Sequence, residues 1–193
     1  PLQLVDLISR CEGVDDVIST GAPLPEYDFH IPMMSLPRVC GTSLDNVPAQ
    51  VPYLRVTSRL REGWADRIGG KGQIKVGVVW KGSYFHKRNA WRSPGIAELK
   101  PLFELTEIDW ISLQKDDEAK DIQFQSISTD ILAIGSTLRD FSDTAAVITH
   151  LDLVITPDTA VAHLAGALNC PVWLMLPHVA EWRWLMERHD TPW

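Results

Sequence analysis

The stretch that most constrains the fold is residues 151–177, which read LDLVITP, then DTAVAHLAGALNC, then PVWLMLP. The outer pieces are short apolar runs rich in β-branched residues, which is typical of strands buried on both faces. The middle piece is small and apolar, so a helix here can lie close to a sheet. We expect strands at 151–156 and 171–176 around a helix at 160–168. A strand, helix and strand of this length predict a right-handed parallel crossover.

Polar residues mark the start of that helix. Asp158 and Thr159 are good capping types at its beginning, Pro157 ends the strand before it, and Asn169 can end the helix in a left-handed turn. In open parallel sheets, ligands bind beyond the carboxyl ends of the strands. A helix N-terminus there attracts anions. Asp158, Thr159 and His163 are therefore candidate ligand contacts, although the first two could be only caps and the histidine only a packed core residue.

The pattern on either side of this unit extends the sheet. Further strands are predicted at 74–80 and 108–113, with a third at either 122–127 or 131–134. Helices are predicted at 94–105, 142–150 and 180–188, the first opened by Ser93 and Pro94 and the second capped by Ser142 or Asp143. This order predicts an α/β fold with a doubly wound parallel sheet. No GxGxxG follows the first strand, which disfavours an NAD or FAD site.

A second candidate region is the loop at 81–93, KGSYFHKRNAWRS, which concentrates positive charge at the carboxyl end of a strand. Gly82 and Ser83 would allow backbone N–H groups to approach a ligand. A solvated surface loop is the alternative. Gln114 ends the next strand at the same edge of the sheet.

The beginning of the chain follows a different pattern. Residues 1–57 are predicted to be the end of an amino-terminal α/β domain, with a helix at 2–11, strands at 16–19 and 27–31, and a proline-rich crossing segment at 32–54. Residues 58–73 are predicted to be a linker containing a charged amphipathic helix. Residues 74–193 then form the carboxyl-terminal domain.

Composition excludes several classes of protein. The 193 residues carry a net charge of −7, which argues against a nucleic-acid partner. No apolar run approaches the roughly 20 residues of a membrane span. Cys11, Cys40 and Cys170 fit no zinc pattern, and we expect three buried thiols in a cytoplasmic protein. No carboxylate cluster indicates a metal, and no cofactor is expected.

Several motifs resemble one enzyme family. DTAVAHLAGAL at 158–168, followed by PVW, is similar to the donor-site motif of bacterial glycosyltransferases of the heptosyltransferase group, family 9. GVVWKGS, RS, WISLQKD and DFSDTAAVI follow the family's order and spacing, as do MSLP and VPYL earlier in the chain. The nearest resemblance is to members that carry tetratricopeptide repeats, distantly similar to protein O-GlcNAc transferases. Pro157 and Lys81 depart from the family pattern.

The resemblance implies a GT-B arrangement of two facing Rossmann-like domains, the second of which binds a nucleoside-diphosphate sugar. It implies metal-independent, inverting transfer to a glycan, lipid-linked or protein acceptor. It places eight residues at the donor: Lys81, Gly82, Ser83, Gln114, Asp158, Thr159, Ala160 and His163. Gln114 would approach the nucleoside, and Lys81 and Ser83 the phosphates. Asp158, Thr159 and Ala160 would lie against the diphosphate or sugar, with His163 one turn further along the helix. The general base would lie upstream of this chain, which would then bind donor better than it turns donor over.

Two alternatives stay open. The chain could be a non-catalytic module that binds a nucleotide sugar, which turnover would distinguish from an enzyme. It could also be another doubly wound enzyme with a phosphate site, such as a phosphatase or epimerase, which would show no preference among nucleotide bases.

Overall fold

A computed structural model of the protein describes residues 1–69, 74–83, 89–115, 130–185 and 187–192. Its centre is a sheet of five parallel strands in the order β3-β2-β1-β4-β5. The strands are β1 Ile74–Val78, β2 Ile108–Ser112, β3 Ile131–Ala133, β4 Leu153–Pro157 and β5 Val172–Met175. The predicted α/β fold with a doubly wound parallel sheet is confirmed. The third strand occupies the second of its two predicted positions, and the other, 122–127, lies outside the described residues.

Helices cover both faces of the sheet. They are α1 Val5–Ile8, α2 Leu36–Val39, α3 Ser58–Ile68, α4 Asn89–Arg92, α5 Ile96–Phe103, α6 Phe141–Ile148 and α7 Ala160–Ala167. On one face, α3, α6 and α7 bury Trp64, Ile148 and Leu164 against the sheet. On the other face, α5 buries Leu99 and Phe103. The strands are therefore apolar on both sides, as the sequence indicated.

The strand order places a topological switch point between β1 and β4. From β1 the chain moves outward to β2 and β3 on one side, and from β4 it moves to β5 on the other. The loops that follow β1 and β4 consequently diverge and leave a crevice at the carboxyl edge of the sheet. Gly77, inside β1, allows close packing against the neighbouring Leu151. A Cβ there would lie 2.5 Å from Cδ1 of Leu151.

Two helix starts differ from the prediction. Ser93 and Pro94 precede α5 instead of opening it, because Gly95, with a φ of 85°, is its N-cap. Asp140 caps α6 by accepting hydrogen bonds from the amides of Ser142 and Asp143, so neither of those two residues is the cap.

The predicted helix at 180–188 is also wrong. Among the described residues there, only a 3-10 turn forms, Trp182–Trp184. It ends at Leu185, whose φ of 53° is left-handed and cannot continue a helix.

Residues 1–57 form no strand, so the strands predicted at 16–19 and 27–31 are wrong. The helix predicted at 2–11 is shorter: a 3-10 turn at Leu2–Leu4 leads into α1. Short helical turns do occur in the proline-rich segment, as expected. No neighbouring strand in this region offers a ladder of hydrogen bonds, and Phe29 and Met34 lie almost fully in solvent. The division of the chain into two domains stays a prediction.

Two further sequence expectations concern the surface. Cys40 is exposed, and Cys11 and Cys170 are half-buried, so the expectation of three buried thiols is wrong. In the part of the chain that the structure describes, no helix combines the length and the apolar character needed to cross a membrane.

Candidate functional site

The candidate site lies in the crevice at the switch point. The residues after β1 meet the start of α7 there through Arg92, on α4. An Nη of Arg92 lies 3.7 Å from Oδ2 of Asp158, and a Cβ added to Gly82 would come within 2.8 Å of the other Nη. The structure thus brings the predicted 81–83 segment and the predicted start of α7 into one cluster.

Asp158 sits between two groups that can carry positive charge. Its other carboxylate oxygen, Oδ1, lies 3.9 Å from Nε2 of His163. Both separations are longer than a hydrogen bond, so the carboxylate faces Arg92 and His163 without being locked to either. The side chains of Asp158 and Arg92 are each 17% exposed. Their charges are therefore only partly screened by water.

Arg92 has hydrogen-bonding capacity to spare. Its Nε is buried and has no hydrogen-bond partner among the described residues. A buried donor without an acceptor costs about 1–3 kcal/mol. An anion placed between Arg92 and the start of α7 would supply that acceptor.

The N-terminus of α7 is capped by a neutral side chain. Thr159 is the N-cap, and its Oγ1 accepts the amide of Val161 at 3.3 Å and shares a hydrogen bond with Oγ1 of Thr156 at 3.0 Å. Asp158 makes no hydrogen bond to the described residues at the helix start, so its carboxylate does not cap the helix. Ala160, the first helical residue, is exposed.

His163 lies one turn into α7 and stacks on the indole of Trp184, with ring centroids 5.1 Å apart and an angle of 20° between the planes. Burial lowers the pKa of His163, although Asp158 acts in the opposite direction. The lowered pKa favours the neutral imidazole.

Gln114 is almost fully engaged within the protein. Its side-chain oxygen accepts the amides of Trp80 and Lys81 at 3.2 and 3.0 Å. Its side-chain nitrogen donates to the carbonyls of Lys81 and Lys115 at 3.1 and 3.4 Å. The predicted contact with a nucleoside would require one of these bonds to break.

The 81–83 segment is fixed from the other side as well. The amide of Gly82 donates to Oγ of Ser93 at 3.1 Å, and its carbonyl accepts from Nδ2 of Asn89 at 3.0 Å. The amides of Lys81 and Gly82 are thus both used inside the protein. The Gly82 amide is therefore not free to approach a phosphate, although the sequence suggested that it would be.

Sequence reasoning missed Arg92, Asn89 and Ser93 as parts of this cluster. A signal was present, because RS at 92–93 belongs to the motif set of the resembling family. Charge counting could not separate Arg92 from the other cations of the loop. His86, Lys87 and Arg88 lie outside the described residues.

A groove of about 1010 Å³ lies beside the crevice, along the outer side of α7 and β5. Of the eight predicted donor residues, only His163 lines it. Its walls include Tyr53, Trp173 and Trp184. Within the described ranges, no group of three or more histidine, cysteine or acidic side chains could hold a metal ion.

Comparison with known proteins points to one group. Residues 118–173 match the family model described as Glycosyltransferase family 9 (heptosyltransferase). The match spans less than a third of the chain and includes α6, β4 and α7, with Asp158, Thr159 and His163. No curated protein matches the chain.

Two solved structures are weakly similar. The E. coli ADP-heptose lps heptosyltransferase II is 14% identical with a TM-score of 0.47, covering 65% of this chain and 40% of that one. The glycosyl transferase family 9 from Veillonella parvula DSM 2008 is 15% identical with a TM-score of 0.48, covering 63% and 36%. This chain spans less than half the length of either protein.

Proposed function

We propose that this chain is the donor-binding part of a glycosyltransferase, which moves a sugar from a nucleoside diphosphate to an acceptor. The observation that carries the proposal is the crevice at the switch point. There the half-buried Arg92, with an unused Nε–H, faces Asp158 at the start of α7. The family 9 match over residues 118–173, which includes α7, supports the same reading.

The chemistry suits such a crevice. An acceptor hydroxyl attacks the anomeric carbon, the bond from that carbon to the diphosphate oxygen breaks, and the hydroxyl proton passes to a base. The leaving diphosphate gains negative charge in this step. Arg92, Lys81 and the N-terminus of α7 would stabilise that charge.

The finer assignments extend this proposal. Lys81, Ser83, Thr159 and Ala160 would lie along the diphosphate, and Asp158 near the sugar. We infer metal-independent, inverting transfer, with the base supplied by an acceptor-side domain. The tetratricopeptide-repeat context and a glycan, lipid-linked or protein acceptor belong to the same proposal.

Calorimetric titration with UDP, ADP and GDP tests donor binding. We expect one of the three to bind best and Arg92→Gln to weaken its binding about tenfold or more, because hydrogen bonds to charged groups contribute roughly 1.5–3 kcal/mol. Arg59→Gln is the matched control, since this exposed arginine on α3 removes the same charge outside the crevice. Its affinity should stay within about twofold of the wild type, by the small effect of distant exposed charges.

Failure of the folded wild-type chain to bind any of the three nucleotides would contradict the proposal. Equal weakening by Arg59→Gln and Arg92→Gln would show only a general charge effect. Nucleotide binding without sugar transfer by the full-length protein would favour the non-catalytic module.

A further inference from the structure

We infer that Gln114 is a positioning residue. It holds the backbone of the 81–83 segment in place for the phosphates of the ligand and does not contact the nucleoside. The inference rests on the proposed function, because it takes the crevice to be a diphosphate site. It assigns to Gln114 a different task from the one suggested by resemblance.

The first support is the hydrogen-bond capacity of the side chain. A primary amide offers two acceptor positions on oxygen and two donors on nitrogen. Gln114 uses both acceptor positions on Trp80 and Lys81, and both donors on the carbonyls of Lys81 and Lys115. The residue is only 6% exposed. No capacity is left to recognise a base.

The second support is where the partners lie. Trp80 is the last residue before the 81–83 segment and Lys81 is its first residue, so Gln114 ties the end of β1 to the end of β2. The backbone of Gln114 also lies close against Gly135, just beyond β3, where an added Cβ would overlap the Gln114 carbonyl. The ends of three neighbouring strands therefore meet at Gln114.

The third support is the set of contacts that holds the other side of the 81–83 segment. Beyond Lys81, the backbone of Gly82 is held by Asn89 and Ser93, which flank Arg92 on α4. Ser93 also donates to Asn89 at 3.0 Å. Gln114 on one side and this pair on the other fix Gly82 against the Arg92 guanidinium. A shift of the 81–83 segment would therefore move Arg92, which supplies positive charge to the crevice.

Hydrogen exchange in the ligand-free protein tests the geometry directly. In Gln114→Met, which keeps the length of the side chain and removes its hydrogen bonds, the amides of Trp80 and Lys81 should exchange at least about tenfold faster. Gln114→Glu keeps two acceptor oxygens but places charge against two carbonyls, so we expect an intermediate effect. Ser142→Ala breaks a different, partly buried hydrogen bond, to Asp6, and should leave both amides unchanged.

Binding of inorganic pyrophosphate and of the free nucleoside then separates positioning from recognition. Gln114→Met should weaken pyrophosphate and the nucleoside diphosphate by the same factor, roughly tenfold, and leave base preference unaltered. Thermal unfolding of each variant shows whether it is folded at the titration temperature.

Unchanged exchange at Trp80 and Lys81 in Gln114→Met would overturn the inference. So would a loss confined to the nucleoside-bearing ligands, or a changed base preference, since both indicate direct contact. A wild-type chain that binds neither pyrophosphate nor any nucleoside diphosphate would instead overturn the proposed function, and the positioning role would fall with it.

Discussion

The two helices that follow β3 and β4 begin at the same edge of the sheet and have the same length, but their N-termini differ. At α6, Asp140 caps the helix, and Asp143 in the first turn accepts four hydrogen bonds from Arg139 and Trp64. At α7, the cap is the neutral Thr159. The neighbouring Asp158 has the Arg92 guanidinium at 3.7 Å and the His163 imidazole at 3.9 Å, and makes no hydrogen bond to the described residues at the helix start.

The contrast separates a carboxylate that is fully used within the fold from one that is only loosely paired. Asp143 is 1% exposed and its oxygens are fully occupied by groups of the protein, so it has nothing to offer a ligand. Near Asp158, the adjacent Arg92 lacks a partner for its Nε. Hydrogen bonds that are complete within the protein stabilise its fold, whereas incomplete ones leave room for an anion.

The largest expected effect is on stability. Asp143→Ala should lower the free energy of unfolding by about 2–4 kcal/mol, because it leaves the buried indole N–H of Trp64 and the Arg139 amide unpaired. Asp158→Ala should cost less than about 1 kcal/mol, as expected for a loosely paired carboxylate. Urea unfolding of the two variants measures both.

Equal losses of stability in the two variants would remove the distinction between the helix starts. Nucleotide titration gives the complementary control, because Asp143→Ala, at a temperature where it is folded, should keep the wild-type affinity. A weakened affinity there would mean that the α6 start also takes part in binding.

The next effect is acid sensitivity. The hydrogen bonds from Arg139, foremost among several causes, hold the pKa of Asp143 below its usual value of 3.8. A lowered folded-state pKa gives stability that is present above about pH 4 and is lost as the pH falls through the folded-state value. The stability difference between wild type and Asp143→Asn should therefore shrink below about pH 4. A difference that stayed constant from pH 6 to pH 3 would show that the Asp143 charge adds nothing.

Much of the sheet could be predicted from the sequence, because its signals are local. The runs at 74–80 and 108–113 are apolar on both faces, and the observed strands begin at the predicted residues. Asn169 ends α7 with a φ of 62°, as its residue type suggested. The alternation of predicted strands and helices then indicated the doubly wound architecture.

The helix caps and the first 57 residues depend on tertiary partners that a local pattern does not contain. Asp143 has the right type for a cap, but Arg139 and Trp64 draw its side chain away, and Asp140 takes that place. The residues at 16–19 and 27–31 have strand-like composition but no adjacent strand to pair with.

The candidate site was predictable in position but not in detail. The carboxyl edge of the sheet follows from topology alone, which brought Lys81 and Asp158 to one crevice. The direction of a side chain does not follow from topology. The sequence could not show that the Gln114 amide hydrogen-bonds to Trp80 and Lys81. It also could not single out Arg92 from the other residues of its loop as the one that lies between Gly82 and Asp158.

The smallest expected effect is the pH dependence of stability that His163, on α7, contributes. Burial lowers the pKa of His163 from 6.5, against the opposing influence of Asp158 and Glu181 and in the same direction as Arg183. As the pH falls, the His163 imidazole therefore becomes protonated in the unfolded chain at a higher pH than in the folded protein. Wild-type stability should consequently fall as the pH drops from about 6.5 through the folded-state value.

His163→Phe retains an aromatic ring for the stack on Trp184 and removes the titration. The free energy of unfolding of His163→Phe should exceed that of the wild type by a margin that grows as the pH falls. The margin should stay under about 1 kcal/mol, because the imidazole is 40% exposed. Urea midpoints at pH 7.5 and pH 5 measure this margin. A wild type that gains stability relative to His163→Phe at pH 5 would show that the imidazolium pairs firmly with Asp158, in which case that carboxylate would be locked in place like Asp143.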